Sequence, residues 1–437
     1  MDGLLLSLIC LGAVLALIAV RTPIGVALGV VSFLGFWYLR NLNVALGQLR
    51  EVPYYFAANW DLSAIPMFLL MGSIVYVSGI AGSLFKAARL WLSSLPGGLA
   101  VATNIASAGF AAGCGSSVAA AAAMGRLAIP EMLKAGYDKG LTAGVVASAG
   151  TIAALIPPSI LMVLYGVFSE TSIVDLLIAG IIPGLLTAAA YTVMIVVRCR
   201  MNPALAPRIP IDGSNLRRER WRALAEIWPL VVLILGVIGG LYAGAVTPTE
   251  AGAAGSLLAL IIAVLQGRMT LGKLWQALRD AAMTTAQIFF IGVGALMFTR
   301  LLSFTGASQM LTDILAPIGL DPILIVLAMT VVYLILGMFL DPIGIMLITM
   351  PVFIPLLKAL DFDMVWYGVL VVKFIEMGML TPPLGFNVYV VAGVAGRDIP
   401  LTTIFRGVGW FLVCDVVVVG LLISFPQLSL FLPELMK

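Results

Sequence analysis

Of the 437 residues, 62% are apolar and 10% are charged, whereas about a quarter of an ordinary soluble domain is charged. That balance excludes a cytosolic enzyme, and the absence of His removes imidazole from every catalytic or zinc-binding scheme. The net charge of +3 is small and reports topology in place of a nucleic-acid partner.

A bilayer core of about 30 Å takes about 20 helical residues per span, so this length accommodates more than ten membrane segments. The first apolar run, 3 to 20, lacks a basic leader and continues through Thr22-Pro23 into further apolar sequence. It is read as a retained span, in contrast to a cleaved signal peptide. Apolar runs follow at 24 to 39, 62 to 81, 98 to 129, 140 to 168 and 174 to 197. Between them, the amphipathic stretches 42 to 60 and 83 to 96 are expected to lie in the interface, with Trp60 and Trp91 as belt anchors. They would brace a fixed frame or dock another subunit. The run 98 to 129 is interrupted by Gly113-Cys114-Gly115-Ser116-Ser117, which leaves two limbs each expected to be too short to span and reads as a re-entrant hairpin.

The second half repeats this order at 227 to 245, 249 to 266 and 284 to 304, then a hairpin from 322 to 357 broken at Leu340-Asp341-Pro342-Ile343-Gly344, then 364 to 395 and 401 to 424. Thr22-Pro23 recurs as Thr247-Pro248, Ile129-Pro130 as Ile354-Pro355, and Pro157-Pro158 as Pro382-Pro383, each at an offset of 225. The predicted fold is an all-α polytopic membrane protein of two repeats, 1–200 and 226–424, joined by an Arg-rich loop at 201–225 and followed by a tail at 425–437. Each repeat has five crossings, one of them discontinuous, plus a hairpin. An odd number inverts the second half relative to the first, the plan of secondary transporters.

Counting Lys and Arg orients the chain. Seven arginines between Arg198 and Arg222 make its centre cytoplasmic, and Arg21, Lys86, Arg89, Arg126, Lys134, Lys139, Arg268, Lys273, Arg279, Arg397 and Arg406 fall on the same side by parity. Arg40 and Arg50 are the exceptions, the loop 305 to 321 belongs to the opposite side, and both termini are expected outside.

Polar chemistry concentrates at two breaks and two tips. Pro157-Pro158 and Pro382-Pro383 each remove two backbone donors and force a discontinuous span, whose freed carbonyls hydrocarbon cannot satisfy. At the tips, glycines allow tight turns, and Ser116 and Ser117 offer hydroxyls at the start of a half-helix. Under the offset Ser116 corresponds to Asp341, and tip and proline pair lie 41 residues apart in both halves. Two facing tip-plus-break units near the midplane are therefore expected to hold Na⁺ by oxygen ligands with substrate between them. The sodium candidates are Gly115, Ser116, Ser117, Gly150, Thr151 and Pro157 in one unit and Gly337, Asp341, Gly378, Thr381 and Pro382 in the other. The substrate candidates are Ser116, Ser117, Ser159, Thr381 and Asn387, the last weighed against a helix-to-helix hydrogen bond. Lys373 and Glu376, at i and i+3 in one span, are expected to pair or to face internal water, with a structural ion pair favoured for Lys373. Cys114 is read as a small apolar filler. The four cysteines, far apart and without CxxC spacing, indicate no disulfide framework.

Gly113 to Ser117, Ile129-Pro130-Glu131-Met132 with Gly136-Tyr137, Gly150-Thr151 to Ile156-Pro157-Pro158-Ser159, Thr247-Pro248-Thr249-Glu250-Ala251, and Glu376 to Leu380-Thr381-Pro382-Pro383-Leu384-Gly385-Phe386-Asn387 form an ordered set. Across nearly the whole chain this set resembles the large membrane subunit of TRAP (tripartite ATP-independent periplasmic) transporters. Cys114 within the tip and Lys373 depart from the family pattern. The resemblance implies a sodium-driven importer of a small organic acid in a bacterial inner membrane, with no cofactor beyond the coupling ion. It implies a small four-helix membrane partner and a soluble periplasmic binding protein that delivers the acid. It also implies a transport domain, about 98–168 plus 322–395, moving as an elevator against a scaffold made of the remainder. One Na⁺ crossing 100 mV contributes about 2.3 kcal/mol and a tenfold gradient about 1.4 kcal/mol, enough for two ions to concentrate an anion strongly. The competing readings are a stand-alone ion-coupled carboxylate carrier or antiporter of the same superfamily, and a membrane scaffold or channel without coupled transport. An intramembrane enzyme lacks a nucleophile–base pair.

Overall fold

The computed structural model describes residues 3–207, 216–306 and 322–436, and among these every regular element is a helix. The first half contains α1 (Gly3–Ala19), α2 (Ile24–Leu39), α3 (Leu42–Ala57), α4 (Ala64–Ser78), α5 (Ile80–Leu92), α6 (Gly98–Cys114), α7 (Ser117–Lys134), α8 (Lys139–Thr151), α9 (Ile160–Ser169), α10 (Ile173–Ala179) and α11 (Ile181–Met201). After α12 (Leu216–Ala225) come α13 (Trp228–Tyr242), α14 (Pro248–Leu265), α15 (Leu271–Thr305), α16 (Pro322–Gly337), α17 (Pro342–Ala359), α18 (Met364–Gly378), α19 (Phe386–Ala395), α20 (Leu401–Ser424) and α21 (Gln427–Glu434).

Local sequence explains where these helices start and stop. Asn41, Ser116, Asp138, Ser159, Asp341 and Asp363 each turn a side-chain oxygen onto a backbone N–H of the following first turn. Thr247 opens α14 with a capping box: its hydroxyl accepts from the Glu250 N–H, and the Glu250 carboxylate accepts from the Thr247 N–H at 2.8 Å. Pro248 takes the first helical position, where no donor is needed.

Among the described residues, seven helical segments are long and apolar enough to cross a membrane, accompanied by six shorter apolar helices. Several features differ from the sequence expectation. The returning limb of the first hairpin, α7, expected to be too short, has 18 residues and at about 1.5 Å per residue reaches about 27 Å, and its counterpart α17, of the same length, is among the seven. The span expected at 284 to 304 is the second part of a continuous 35-residue α15, because no proline interrupts it. In the first half the equivalent path is cut. The Asn59 side chain accepts from the Asp61 N–H at 2.9 Å, and the chain passes through a 3-10 turn at Asp61–Ser63 before α4. The run 174 to 197 divides at Gly180 into α10 and α11, and a Cβ at Gly180 would lie 2.2 Å from the Leu155 carbonyl oxygen, so this junction seats the first proline break. The expected C-terminal tail contains a helix, α21, which packs on α10, α11 and α18. Of the Arg-rich loop, Arg208 lies outside the described residues, as does most of the 305 to 321 loop.

The halves interlock: α4 packs on α14, and α15 packs on α2. Around the candidate site, α7 packs on α8 and α19, α17 on α9, α16 on α18, and α8 on α20. The last crossing is backbone against backbone, since a Cβ on Gly407 would stand 1.9 Å from the Gly140 carbonyl oxygen. The second amphipathic stretch meets neighbouring segments: Lys86 pairs with Glu226 at 3.0 Å, Arg89 with Glu131 at 2.8 Å, and Trp91 donates to the Arg220 carbonyl at 3.2 Å.

Candidate functional site

The first hairpin turns at Gly115, whose φ of 65° lies in the left-handed region that favours glycine. A Cβ there would also stand 2.5 Å from the Pro158 carbonyl oxygen, so the tip lies directly on the proline break. The Ile160 N–H donates back to the Gly115 carbonyl at 3.4 Å. Ser116 caps α7 by accepting from the Ala119 N–H, and Ser117 is buried behind it. Gly150 brings the end of α8 flush with this start: its would-be Cβ falls 2.8 Å from Ala121 Cβ and 3.0 Å from the Ser117 carbonyl oxygen. Thr151, also buried, donates its hydroxyl to the Ser148 carbonyl at 2.6 Å. Gly115, Ser117, Gly150 and the Pro157-Pro158 break are thus one contiguous patch. Cys114 is buried, with its Sγ 3.8 Å from the Ser116 carbonyl oxygen.

The break runs from Thr151 through a 3-10 turn at Ile152–Ala154 and the cis peptide bond Pro157-Pro158 to Ser159. The Ser159 hydroxyl, expected from the sequence to contact substrate, donates to the Ala154 carbonyl and accepts from the Met162 N–H at 3.3 Å. It is fully buried and closes the break while opening α9.

The second unit is built similarly at its tip. Asp341 caps α17, accepting from the Gly344 N–H at 3.1 Å, and Pro342 follows at the first helical position. Gly337 and Gly378 pack backbone to backbone, with a Cβ on Gly378 falling 2.7 Å from the Gly337 Cα. Thr381 donates its hydroxyl to the Met377 carbonyl at 2.8 Å, and the following Pro382-Pro383 bond is cis. The two breaks differ in burial. Residues 151 to 165 are all buried, whereas Thr381 is half-buried and Pro382, Pro383 and Leu384 are exposed. Asn387 is fully buried, and neither of its side-chain polar atoms has a hydrogen-bond partner. The units are cross-braced, because each returning limb packs on the helix after the opposite break: α7 on α19, α17 on α9.

The sequence of residues 11–428 matches the family described as "Tripartite ATP-independent periplasmic transporter, DctM component". The chain belongs to this family. It is similar to the large permease protein of the C4-dicarboxylate TRAP transporter of Pseudomonas aeruginosa, 35% identical over 91% of this chain and 90% of that one. It is 34% identical to the large permease protein of the sialic acid TRAP transporter of Vibrio cholerae, over 96% of this chain and 97% of that one. In fold it is similar to the crystal structure of the Alcanivorax borkumensis YdaH transporter, with a TM-score of 0.56 at 15% identity, covering 86% and 90% of the two chains.

In this DctM-family large permease the expected Lys373–Glu376 pairing does not form. The Lys373 ammonium instead lies 2.6 Å from Asp415 Oδ1 on α20 and donates to Thr187 Oγ1 on α11 at 3.2 Å. The Tyr191 hydroxyl donates to the same Asp415 oxygen at 2.7 Å, and its ring lies 5.9 Å from the ammonium. Lys373 and Asp415 are each 1% exposed, so the favoured structural ion pair exists with a partner 42 residues away in sequence. The i, i+3 partner is not used because Lys373 extends outward to α11 and α20, leaving Glu376 facing elsewhere. Asp415 could have been flagged as the lone acid of the apolar run 401 to 424, where an unpaired charge costs about 2.5 to 3.5 kcal/mol on insertion scales. The Thr151 hydroxyl lies beside Tyr191, which joins this network to the first tip-plus-break unit.

Proposed function

We propose that this large permease is the membrane carrier of a sodium-driven importer. It receives a small organic acid from a periplasmic binding protein, works with a small four-helix membrane subunit, and spans a bacterial inner membrane with both termini on the periplasmic side. The observation that carries the reading is the pair of tip-plus-break units. Each sets a capped half-helix start, Ser116 or Asp341, in register with a proline-broken helix whose carbonyls have lost their usual donors. Such sites, built from backbone oxygens, hydroxyls and one carboxylate, suit a small monovalent cation, while the half-helix N-termini suit an anionic substrate. Ser116, Ser117, Ser159, Thr381 and Asn387 remain the substrate candidates on this reading, Ser159 also holding the break together.

The relatives named above belong to transporters of C4-dicarboxylates and of sialic acid, which supports an organic acid as the cargo of this chain. The cross-bracing of α7 on α19 and α17 on α9 supports a transport body of about 98–168 plus 322–395 that moves as a unit, in elevator fashion, against the remaining helices. Reconstitution in liposomes with the small subunit and the binding protein, assayed with labelled C4-dicarboxylate and sialic acid, tests the assignment. Uptake should require the binding protein; equal uptake by the permease alone would favour a stand-alone carboxylate carrier.

A further inference from the structure

Glu376 is 1% exposed, six residues before Pro382 of the second break, and neither carboxyl oxygen has a hydrogen-bond partner of ordinary geometry. A buried carboxylate without a partner is among the most costly arrangements a protein can hold, so the group either takes up a proton or meets a cation. The nearest cation of the chain, the Lys373 ammonium, is engaged by Asp415 and Thr187. The side chain that Glu376 does meet is Ser117, on the start of α7 at the first hairpin tip.

A second orphan faces the same region. α7 and α19 pack side by side, and a Cβ on Gly125 of α7 would touch Val394 of α19 at 3.2 Å. Asn387, two turns back along α19, shares the face of Val394, and its N–H donates to the Met379 carbonyl at 3.2 Å, three residues after Glu376. Asn387 is fully buried, and neither its amide oxygen nor its amide nitrogen has a partner. Three acceptor oxygens, two from Glu376 and one from Asn387, therefore lack donors around the end of α18. A small cation supplies what they lack.

We propose that Glu376 is the charged ligand of the cation site at the first hairpin tip, with Ser117 and the Asn387 amide oxygen as neutral ligands. This rests on the sodium reading above and adds to it, because the first tip contributes only hydroxyls and carbonyls of its own. Under the 225 offset Glu376 corresponds to Thr151, and Ser116 to Asp341. Each tip then holds one carboxylate: the second from its own cap, the first from the opposite half. Ion occupancy at the first tip thereby depends on how α18 of one repeat sits against α7 of the other.

The test is equilibrium binding of ²²Na⁺ to the purified permease in complex with its small subunit, in lipid nanodiscs. The wild-type complex should bind Na⁺ saturably, and Glu376→Gln should lose one class of site or weaken it at least tenfold. Glu376→Asp, which keeps the charge on a shorter arm, should bind with an intermediate affinity. If Glu376→Gln does not fold, Glu376→Asp and Ser117→Ala carry the test through the same titration, with a shift of threefold or more expected. Saturable wild-type binding that Glu376→Gln leaves unchanged in number and affinity would overturn the assignment of Glu376 alone. No saturable binding by the wild type would overturn the sodium reading with it.

Discussion

Asp415 accepts a hydrogen bond from the Lys373 ammonium at 2.6 Å, joining α20 to the broken helix α18 in a region where both side chains are out of contact with solvent. Tyr191 donates to the same carboxylate, so three helices meet on one oxygen. Such a pair fixes geometry more than it stabilises, because desolvation offsets most of the Coulombic attraction. Its removal by halves is another matter. Lys373→Met or Asp415→Asn alone should destabilise the permease by about 3–5 kcal/mol, while the double variant Lys373→Met/Asp415→Leu should recover most of the loss. Thermal unfolding in detergent checks this; single variants that melt like wild type would contradict the pairing.

The α8–α20 crossing predicts a contrast between two glycines on one helix. A Cβ at Gly407 meets the backbone of Gly140 at under the distance of any real contact, whereas one at Gly409 meets nothing within 4 Å. Gly407→Ala should force the helices apart and cost about 1–3 kcal/mol, with loss of uptake because α8 carries Gly150 and Thr151. Gly409→Ala should be neutral in both measurements.

Gly115 combines a left-handed φ with a close approach to the Pro158 carbonyl. Gly115→Ala adds a backbone strain of about 1 kcal/mol and a contact that only displacement of the break can relieve. Uptake in proteoliposomes should fall at least tenfold while the protein still assembles, as judged by size-exclusion chromatography. Full activity would mean the tip does not work against the break.

Ser116→Ala and Thr381→Ala separate a coupled carrier from a channel or scaffold. In a carrier, each should raise the Na⁺ concentration needed for half-maximal uptake, because each removes a hydroxyl from one of the two units. An unchanged Na⁺ dependence in both variants would contradict the placement of the ion sites.

Much of this organisation is legible in the sequence. Ser116 and Asp341 cap their half-helices as the 225-residue offset anticipates, and Pro157-Pro158 and Pro382-Pro383 break α8–α9 and α18–α19 where two missing donors demand it. What the sequence conceals depends on long-range partners. Asp415 stands out as an isolated acid, but nothing local links it to Lys373 in preference to Glu376 beside it. The close crossing at Gly140 and Gly407 shows no pattern at either site alone, since exposed and touching glycines look the same. Helix continuity is hidden where polarity changes without a breaker: α15 runs on through Asp280 and Thr284, because no proline or left-handed residue stops it. The converse holds at Gly180, where an apolar run is divided by close approach to Leu155. The difference in burial between the two breaks is likewise tertiary, for the proline pair that defines each is the same.

Coupling of an inward Na⁺ gradient to import is tested most directly by uptake of labelled organic acid into liposomes holding the permease and its small subunit, with loaded binding protein outside and Na⁺ or K⁺ as the external cation. Accumulation above the external concentration in Na⁺, collapsing when K⁺ replaces it, is the predicted result. Equal accumulation in K⁺ would contradict sodium coupling.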